Sequence, residues 1–266
     1  MNNYINNKAL EVASSLVSDA QIIFTDPYDH NKQYHEACVA EASRDGLYLE
    51  FGVHRGRSIG HIASCTTNKV YGFDSFEGIP EKWERGEESL PQYAFDLKSQ
   101  IPHGMIKGDD QSTQPHRDPS STQSTEPWPK NVELIKGWFD KTLPLFIKRA
   151  EVAPHKVSFL HIDCDLYSST KTIFKFLGDK ITEGTIIAFD EIYGYKGFHE
   201  HEAKAFAEFL TEHSLDYDPL IRVQGADNTP FRYGMTQGCF RIKKQSPSAT
   251  RNTQDLIDYT ILSNQQ

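Results

Sequence analysis

The 266-residue sequence is poor in cysteine, in basic charge and in long apolar runs. Its four cysteines show no CxxC spacing, which argues against a zinc knuckle and a dense disulfide framework. Lys and Arg number 28 against 37 Asp and Glu, so general binding of nucleic acid or anionic membranes is not expected. No apolar run approaches the roughly 20 residues of a membrane span, and no leader pattern opens the chain. We therefore expect a cytoplasmic protein whose partner is a small molecule.

The sequence does contain an alternation of strand-like and helix-like segments. Apolar, β-prone runs occur at residues 46–51, 69–73, 131–135, 157–162 and 185–189, with helical spacing at 57–65, 168–177 and 199–213. Residues 216–244 are a candidate for two further strands. Strands alternating with helices favour a parallel sheet covered on both faces. The expected fold class is α/β, a Rossmann-like doubly wound, mainly parallel seven-stranded sheet with helices on both faces.

The turn after the first strand argues against a phosphate ligand. A dinucleotide fingerprint needs a glycine where this chain has His54, and no P-loop sequence occurs. Gly52 and Gly56 remain in the turn, but an ordinary tight strand-to-helix turn would need them as well.

The end of the second strand adds a carboxylate. Asp74 follows Gly52 by 22 positions, about where doubly wound folds place the acid that binds ribose hydroxyls. A helix cap is the alternative role for this residue. S-adenosylmethionine has a ribose but no pyrophosphate, so the two strand ends together predict this cofactor.

Acidic residues follow the fourth and fifth strand-like runs. Asp163 and Asp165 come after the fourth, and Asp190 and Glu191 after the fifth. Neighbouring parallel strands that end level would bring these carboxylates together, and carboxylates are the ligands that Mg²⁺ prefers. Each acid could instead cap a helix or lie in solvent. We hypothesise that Asp163, Asp190 and Glu191 hold Mg²⁺. Asp165, which a regular strand would place on the same face as Asp163, would be the catalytic base.

Histidines and aromatic residues near these strand ends have other expected roles. His199 and His201 lack the spacing of a helical metal-ligand pair, and we expect them to begin an exposed helix. Lining of the acceptor pocket, together with His54 and Tyr193, is the alternative for both. His161, inside the fourth strand, is expected in the core. The aromatic segments 83–93 and 192–198 are candidates for acceptor binding and for closure over the cofactor, with plain loop packing as the alternative.

Four ordered motifs resemble those of the macrocin O-methyltransferase family. They span Leu49–Ser58, Val70–Pro80, Gly137–Pro144 and Ile162–Thr170. The resemblance implies a class I S-adenosylmethionine-dependent O-methyltransferase with bound Mg²⁺, acting on a hydroxyl of a small molecule such as a sugar or natural product. The cofactor-binding residues that it implies are Glu50, Gly52, Gly56, Ser58, Asp74, Ser75, Trp138 and Asp163. Glu191 stands where relatives commonly have a second aspartate.

We expect the chain to divide into three parts. Residues 1–45 would be an N-terminal helical extension that covers the pocket or pairs copies in a homo-oligomer. Residues 46–244 would be the S-adenosylmethionine-dependent methyltransferase domain, and 245–266 a C-terminal tail. Residues 109–130, rich in Ser, Thr, Gln and Pro, predict a mobile polar loop insertion. A metal-dependent hydrolase or oxygenase, or a non-catalytic cofactor-binding protein on the same fold, remains an alternative.

Overall fold

A computed structural model of the chain describes residues 2–25, 30–85, 88–102, 105–106, 125–225 and 236–245. The helices are α1 (Asn2–Asp19), α2 (His30–Ala40), α3 (Arg57–Ser64), α4 (Phe139–Phe146), α5 (Tyr167–Leu177) and α6 (Glu202–Glu212). The strands are β1 (Gln21–Thr25), β2 (Leu47–Phe51), β3 (Val70–Asp74), β4 (Trp83–Arg85), β5 (Glu88–Leu90), β6 (Met105–Ile106), β7 (Thr125–Glu126), β8 (Val132–Lys136), β9 (Val157–Ile162), β10 (Ile186–Tyr193), β11 (Leu215–Gly225) and β12 (Thr236–Lys244).

Eight of these strands form one sheet in the order β1-β11-β12-β10-β9-β2-β3-β8. Strand β12 is antiparallel to both of its neighbours, and the other pairs are parallel. The predicted α/β class is confirmed, but the sheet has eight strands rather than seven. The additional strand is β1, which pairs with β11 from Gln21 opposite Ile221 onward. The sequence alone could not reveal β1, because a five-residue run becomes an edge strand only where another strand offers its edge.

Helices cover both faces of the sheet, as predicted. Along β2, Leu47, Leu49 and Phe51 belong to one hydrophobic cluster and Tyr48 to another. Successive strand residues point to opposite faces, so the two clusters lie on opposite sides of the sheet. Buried residues of α1, α4, α5 and α6 join the first cluster, and those of α2 and α3 join the second. The N-terminal helices α1 and α2 therefore both contribute to the core, on opposite faces of the sheet.

The order in which strands are added to the sheet changes direction between β2 and β9, although the two strands are parallel. From β2 it proceeds outward to β3 and β8, whereas β9 and β10 extend the other way. Phe51 and Phe189 both lie opposite Ile162, so β2 and β9 end at the same level, which is that of Phe189 within β10. In doubly wound sheets the crevice for ligands opens at such a switch point.

Several predictions lie wholly or partly outside the described residues. Most of the proposed loop 109–130 falls in 107–124, and the tail from 246 onward is outside as well. At the described end of the loop, β7 pairs with β6. Within the described ranges, no helix combines the length and the apolar character needed to cross a membrane.

Candidate functional site

A buried carboxylate lies near the carboxyl end of β2. Glu50 of β2 is fully buried, and its Oε1 accepts a hydrogen bond from Ser58 Oγ at 2.8 Å. Its Oε2 lies 3.4 Å from His161 Nδ1 and has no hydrogen-bond partner among the described residues. Burial raises the pKa of the Glu50 carboxyl, and the contacts with His161 and Ser58 act in the opposite direction. An unsatisfied carboxylate oxygen at this position suits a cationic ligand group.

The two glycines of the following turn are required by contacts within the chain. Gly52 has φ +93°, and a Cβ there would lie 1.6 Å from the carbonyl oxygen of Asp163. Gly56 has φ +79° and precedes α3, and a Cβ there would lie 1.8 Å from the ring of Trp128. The tight-turn alternative therefore accounts for both glycines, and any contact with a cofactor remains a prediction.

Asp74 ends β3 and is oriented by backbone amides. Its Oδ2 accepts from His54 N at 2.7 Å and its Oδ1 from Phe76 N at 2.6 Å. Burial raises the pKa of the Asp74 carboxyl, whereas these amide hydrogen bonds lower it. With Val53 as a third backbone donor, the carboxylate as a whole still has capacity to accept from one more donor, such as a ribose hydroxyl.

Ser75 and Trp138 lie beside Asp74. The Ser75 hydroxyl donates to Gly78 O at 3.2 Å and accepts from Glu77 N at 3.0 Å, so it stabilises its own turn. Trp138 directly precedes α4, and its neighbour Gly137 donates a backbone hydrogen bond to Asp74 O at 2.8 Å. The structure thus gathers the predicted cofactor residues at the carboxyl ends of the neighbouring strands β9, β2, β3 and β8.

The three predicted metal ligands also come together. One carboxylate oxygen from each of Asp163, Asp190 and Glu191 lies within 4.8 Å of the other two. Strand β10 continues to Tyr193, so Asp190 and Glu191 lie within the strand and not beyond its end as predicted. Adjacent residues of a regular strand would point to opposite faces. Here pairing with β9 stops at Phe189, and the register with β12 shifts beyond it. This irregularity accompanies the convergence of both side chains on one cluster.

Asp165 lies next to this cluster, but the predicted reason for its position is wrong. Strand β9 ends at Ile162, and Asp165 adopts a left-handed φ of +65°, so it is not on a regular strand with Asp163. Burial, followed by the charge of Asp190, raises the pKa of Asp165 to about 7, and Arg85 opposes the shift. A buried carboxyl that titrates near neutral pH is suited to accept a proton.

The electrostatics of the cluster fit a divalent cation. Burial and repulsion from neighbouring carboxylates hold the pKa values of Asp163 and Glu191 well above their ordinary range. Glu191 Oε2 is buried, and the described part of the chain offers it no hydrogen bond. A cation among these oxygens would offset the repulsion, and carboxylates are the ligand type that Mg²⁺ prefers.

Sequence reasoning missed the residues that hold these groups in place. Glu202, at the start of α6, accepts hydrogen bonds from the backbone N–H groups of Cys164 and Asp165. Gln237 of β12 donates from Nε2 to Asp190 Oδ1. His35 of α2 places its Nε2 3.3 Å from His161 Nε2. No local pattern marks these three residues, because each acts on a segment far away in the sequence.

The predictions for His161 and His201 had different outcomes. His161 is fully buried, as expected of a core residue. His201 directly precedes α6, as expected, but it is partly buried rather than exposed, with Nε2 2.7 Å from Glu84 O and its ring against Tyr195. Burial lowers the pKa of His201. Its position depends on the distant β4, which no local pattern in the sequence indicates.

Several solved structures are similar to this chain at low sequence identity. Similar solved structures include CalS11, a calicheamicin methyltransferase, with 20% identity, coverage of 79% of this chain and 76% of that chain, and a TM-score of 0.47. The O-methyltransferase NovP shows 18% identity, coverage of 92% and 99%, and a TM-score of 0.47. TomG from Streptomyces achromogenes, an O-methyltransferase involved in tomaymycin synthesis, shows 13% identity, coverage of 89% and 90%, and a TM-score of 0.46.

The family assignment rests on sequence. A search of curated proteins gave no significant match. The sequence model of the macrocin-O-methyltransferase (TylF) family matches residues 29–233, well over half of the chain, and confirms the resemblance carried by the four motifs. The chain belongs to the macrocin-O-methyltransferase (TylF) family.

Proposed function

We propose that the protein is an S-adenosylmethionine-dependent, Mg²⁺-dependent O-methyltransferase that acts on a hydroxyl of a small molecule, such as a sugar or natural product. Membership of an O-methyltransferase family supports the reaction type. The observation that carries the metal and cofactor assignment is the arrangement at the switch point. Asp163, Asp190 and Glu191 converge there, level with the end of β2, which carries Glu50.

The cofactor would occupy the carboxyl ends of β2 and β3. Glu50 has an unsatisfied oxygen suited to the ammonium group of the methionine part, and Ser58 holds the other oxygen. Asp74 would accept hydrogen bonds from the ribose hydroxyls. Gly52 and Gly56 would keep the backbone of the turn close to the cofactor, and Ser75 and Trp138 would lie near its ribose or adenine. Asp163, which also belongs to the acidic cluster, would contact the cofactor from the end of β9.

The acidic cluster would prepare the acceptor hydroxyl. Asp163, Asp190 and Glu191 would hold Mg²⁺, with Gln237 orienting Asp190. When bound, Mg²⁺ would lower the pKa of an acceptor hydroxyl and orient it, and S-adenosylmethionine would supply the methyl group. Asp165 would accept the hydroxyl proton on its carboxylate, for which a pKa of about 7 is suitable.

Calorimetric titration of S-adenosylhomocysteine, with and without Mg²⁺, tests this proposal. We expect binding in both conditions, together with a separate Mg²⁺ isotherm that Asp163→Asn or Asp190→Asn weakens at least about tenfold. The exposed Asp179→Asn is the matched control. Mg²⁺ binding without S-adenosylhomocysteine binding would instead indicate a metal-dependent hydrolase or oxygenase. Cofactor binding with no Mg²⁺ isotherm would leave the methyltransferase assignment and remove the metal from it.

A further inference from the structure

Helix α2 presents two adjacent buried side chains to the sheet. Tyr34 and His35 are both fully buried, and their ring centroids are 5.7 Å apart. Each makes a polar contact with a different strand, Tyr34 with β10 and His35 with β9. Both contacts join residues more than a hundred positions apart in the sequence. The function proposed above gives neither residue a role.

Tyr34 acts on the strand that carries two of the proposed metal ligands. Its hydroxyl donates to the carbonyl oxygen of Phe189 at 3.0 Å. That carbonyl belongs to the planar peptide group between Phe189 and Asp190, so the hydrogen bond restrains the backbone directly before Asp190. Phe189 is also the last residue of β10 that pairs with β9, and the register with β12 shifts beyond it. Helix α2 therefore restrains the backbone of the metal ligands at the point where the pairing with β9 ends.

His35 acts on the cofactor half of the site through His161. The Nε2 atoms of His35 and His161 lie 3.3 Å apart, within hydrogen-bond distance. On the other side of the His161 ring, Nδ1 lies 3.4 Å from Glu50 Oε2. All three side chains are fully buried, and the register of β2 and β9 pairs Glu50 with His161. A buried row of three side chains therefore runs from α2 to the carboxylate proposed to bind the ammonium group of the cofactor.

The Glu50 carboxylate determines where the protons of this row must lie. His161 stabilises the negative oxygen only with its proton on Nδ1, because a bare nitrogen would turn a lone pair toward that oxygen. In a neutral imidazole this tautomer leaves Nε2 as an acceptor. His35 must then donate to His161 from its own Nε2–H. Without this donor, His161 is free to carry its proton on Nε2, and the stabilisation of the carboxylate is lost.

We propose that Tyr34 and His35 are positioning residues through which α2 holds the two halves of the site. Tyr34 fixes the backbone that carries Asp190 and so supports the metal ligands. His35 fixes the tautomer of His161 that stabilises the Glu50 carboxylate and so supports cofactor binding. Both residues act through others and touch no ligand themselves. This inference rests on the proposed function, because it assigns effects on Mg²⁺ and on S-adenosylmethionine at that site.

Calorimetric titration of full-length variants with Mg²⁺ and with S-adenosylhomocysteine separates the two effects. Tyr34→Phe removes the hydroxyl and keeps the ring, and it should weaken Mg²⁺ binding about tenfold, the scale of losing a group that orients a metal ligand. It should leave S-adenosylhomocysteine affinity unchanged. Tyr48→Phe is the matched control and should change neither affinity. Tyr48 is buried as well, and its hydroxyl donates to a backbone carbonyl, that of Ser43, at 3.0 Å at the opposite end of β2.

His35→Leu should have the opposite selectivity. We expect it to weaken S-adenosylhomocysteine binding about tenfold and to leave the Mg²⁺ isotherm unchanged. His35→Gln can still donate from its side-chain amide, so it should retain most of the affinity that His35→Leu loses. A role in packing alone would give neither this selectivity nor this rescue.

Imidazole ¹⁵N chemical shifts of the wild-type protein provide a second measurement, which does not depend on the folding of a His35 variant. At about pH 8, where a free imidazole is neutral, His161 should carry its proton on Nδ1 and none on Nε2. A proton on His161 Nε2 would overturn the inference. Equal losses of both affinities in Tyr34→Phe and His35→Leu, or no loss in either variant, would overturn it as well. Wild-type protein that binds neither S-adenosylhomocysteine nor Mg²⁺ would instead overturn the proposed function itself.

Discussion

The carboxylate of Glu50 and the imidazole of His161 are in contact across two neighbouring strands, with Oε2 3.4 Å from Nδ1 and both side chains fully buried. The parallel register of β2 and β9 places the two residues directly opposite each other. His35 extends the contact, because its Nε2 lies 3.3 Å from His161 Nε2. An N-terminal helix is thereby connected to the residue that we propose binds the ammonium group of the cofactor.

Replacing His161 should weaken cofactor binding. The His161 contact lowers the pKa of Glu50, so His161→Leu should leave more of that carboxyl protonated and less able to bind a cation. We expect about a tenfold loss of S-adenosylhomocysteine affinity in calorimetry at pH 7, about the effect of one charge-assisted hydrogen bond. The exposed His155→Gln is the control. Unchanged affinity in a folded His161→Leu variant would contradict the positioning role.

The metal-free protein should lose stability as pH rises from about 4 to about 7. Asp163, Asp165, Glu191 and Glu202 have raised pKa values in the folded state, so the unfolded chain binds fewer protons in this window. The free energy of unfolding therefore falls with pH. For Asp165 alone, the change from 3.8 to about 7 corresponds to about 4 kcal/mol.

Urea unfolding between pH 4 and pH 8 measures this dependence. Asp165→Asn should reduce the slope, and Mg²⁺ should stabilise the protein more at pH 8 than at pH 5, where protons compete for the carboxylates. A free energy of unfolding that increases steadily from pH 4 to pH 7 would show that the carboxyls are not destabilised by burial.

Asp165→Asn should abolish most activity without disturbing the fold. Asp165 has φ +65°, and asparagine adopts left-handed backbone more readily than most residues. The amide cannot accept the hydroxyl proton, so kcat for the natural acceptor should fall about 10²- to 10⁴-fold. Affinities for S-adenosylhomocysteine and Mg²⁺ should change little. Retention of wild-type kcat would show that another group accepts the proton.

Two glycine substitutions separate a steric clash from backbone strain. Gly52 and Gly184 have nearly the same φ, +93° and +91°, but only at Gly52 would a Cβ meet another atom, 1.6 Å from Asp163 O. Gly184→Ala should lower the free energy of unfolding by about 1–2 kcal/mol from strain alone. Gly52→Ala should lower it by more than about 3 kcal/mol or prevent folding. Equal losses in urea unfolding would mean that the turn at Gly52 can move away from β9.

Much of the architecture could be predicted because its signals are local. Four of the five predicted core strands match β2, β3, β8 and β9 within one residue at each end. The fifth continues four residues further, to Tyr193, because β12 supplies a pairing partner beyond the end of β9. Residues 216–244 form β11 and β12 as expected, apart from 226–235, which lie outside the described residues.

The sequence by itself determined the α/β class and the identity of the candidate site residues. Apolar periodicity and the polar residues at strand ends are visible in short windows, and they led to Asp74, Asp163 and Asp190, whereas Glu50 was implied by the family resemblance. The tertiary structure decided how these residues are held. The left-handed backbone at Asp165 and the contacts from His35, Glu202 and Gln237 depend on segments that meet only after the sheet and its helices have assembled. Such contacts leave no periodic signal in the sequence, because each joins positions separated by tens of residues or more.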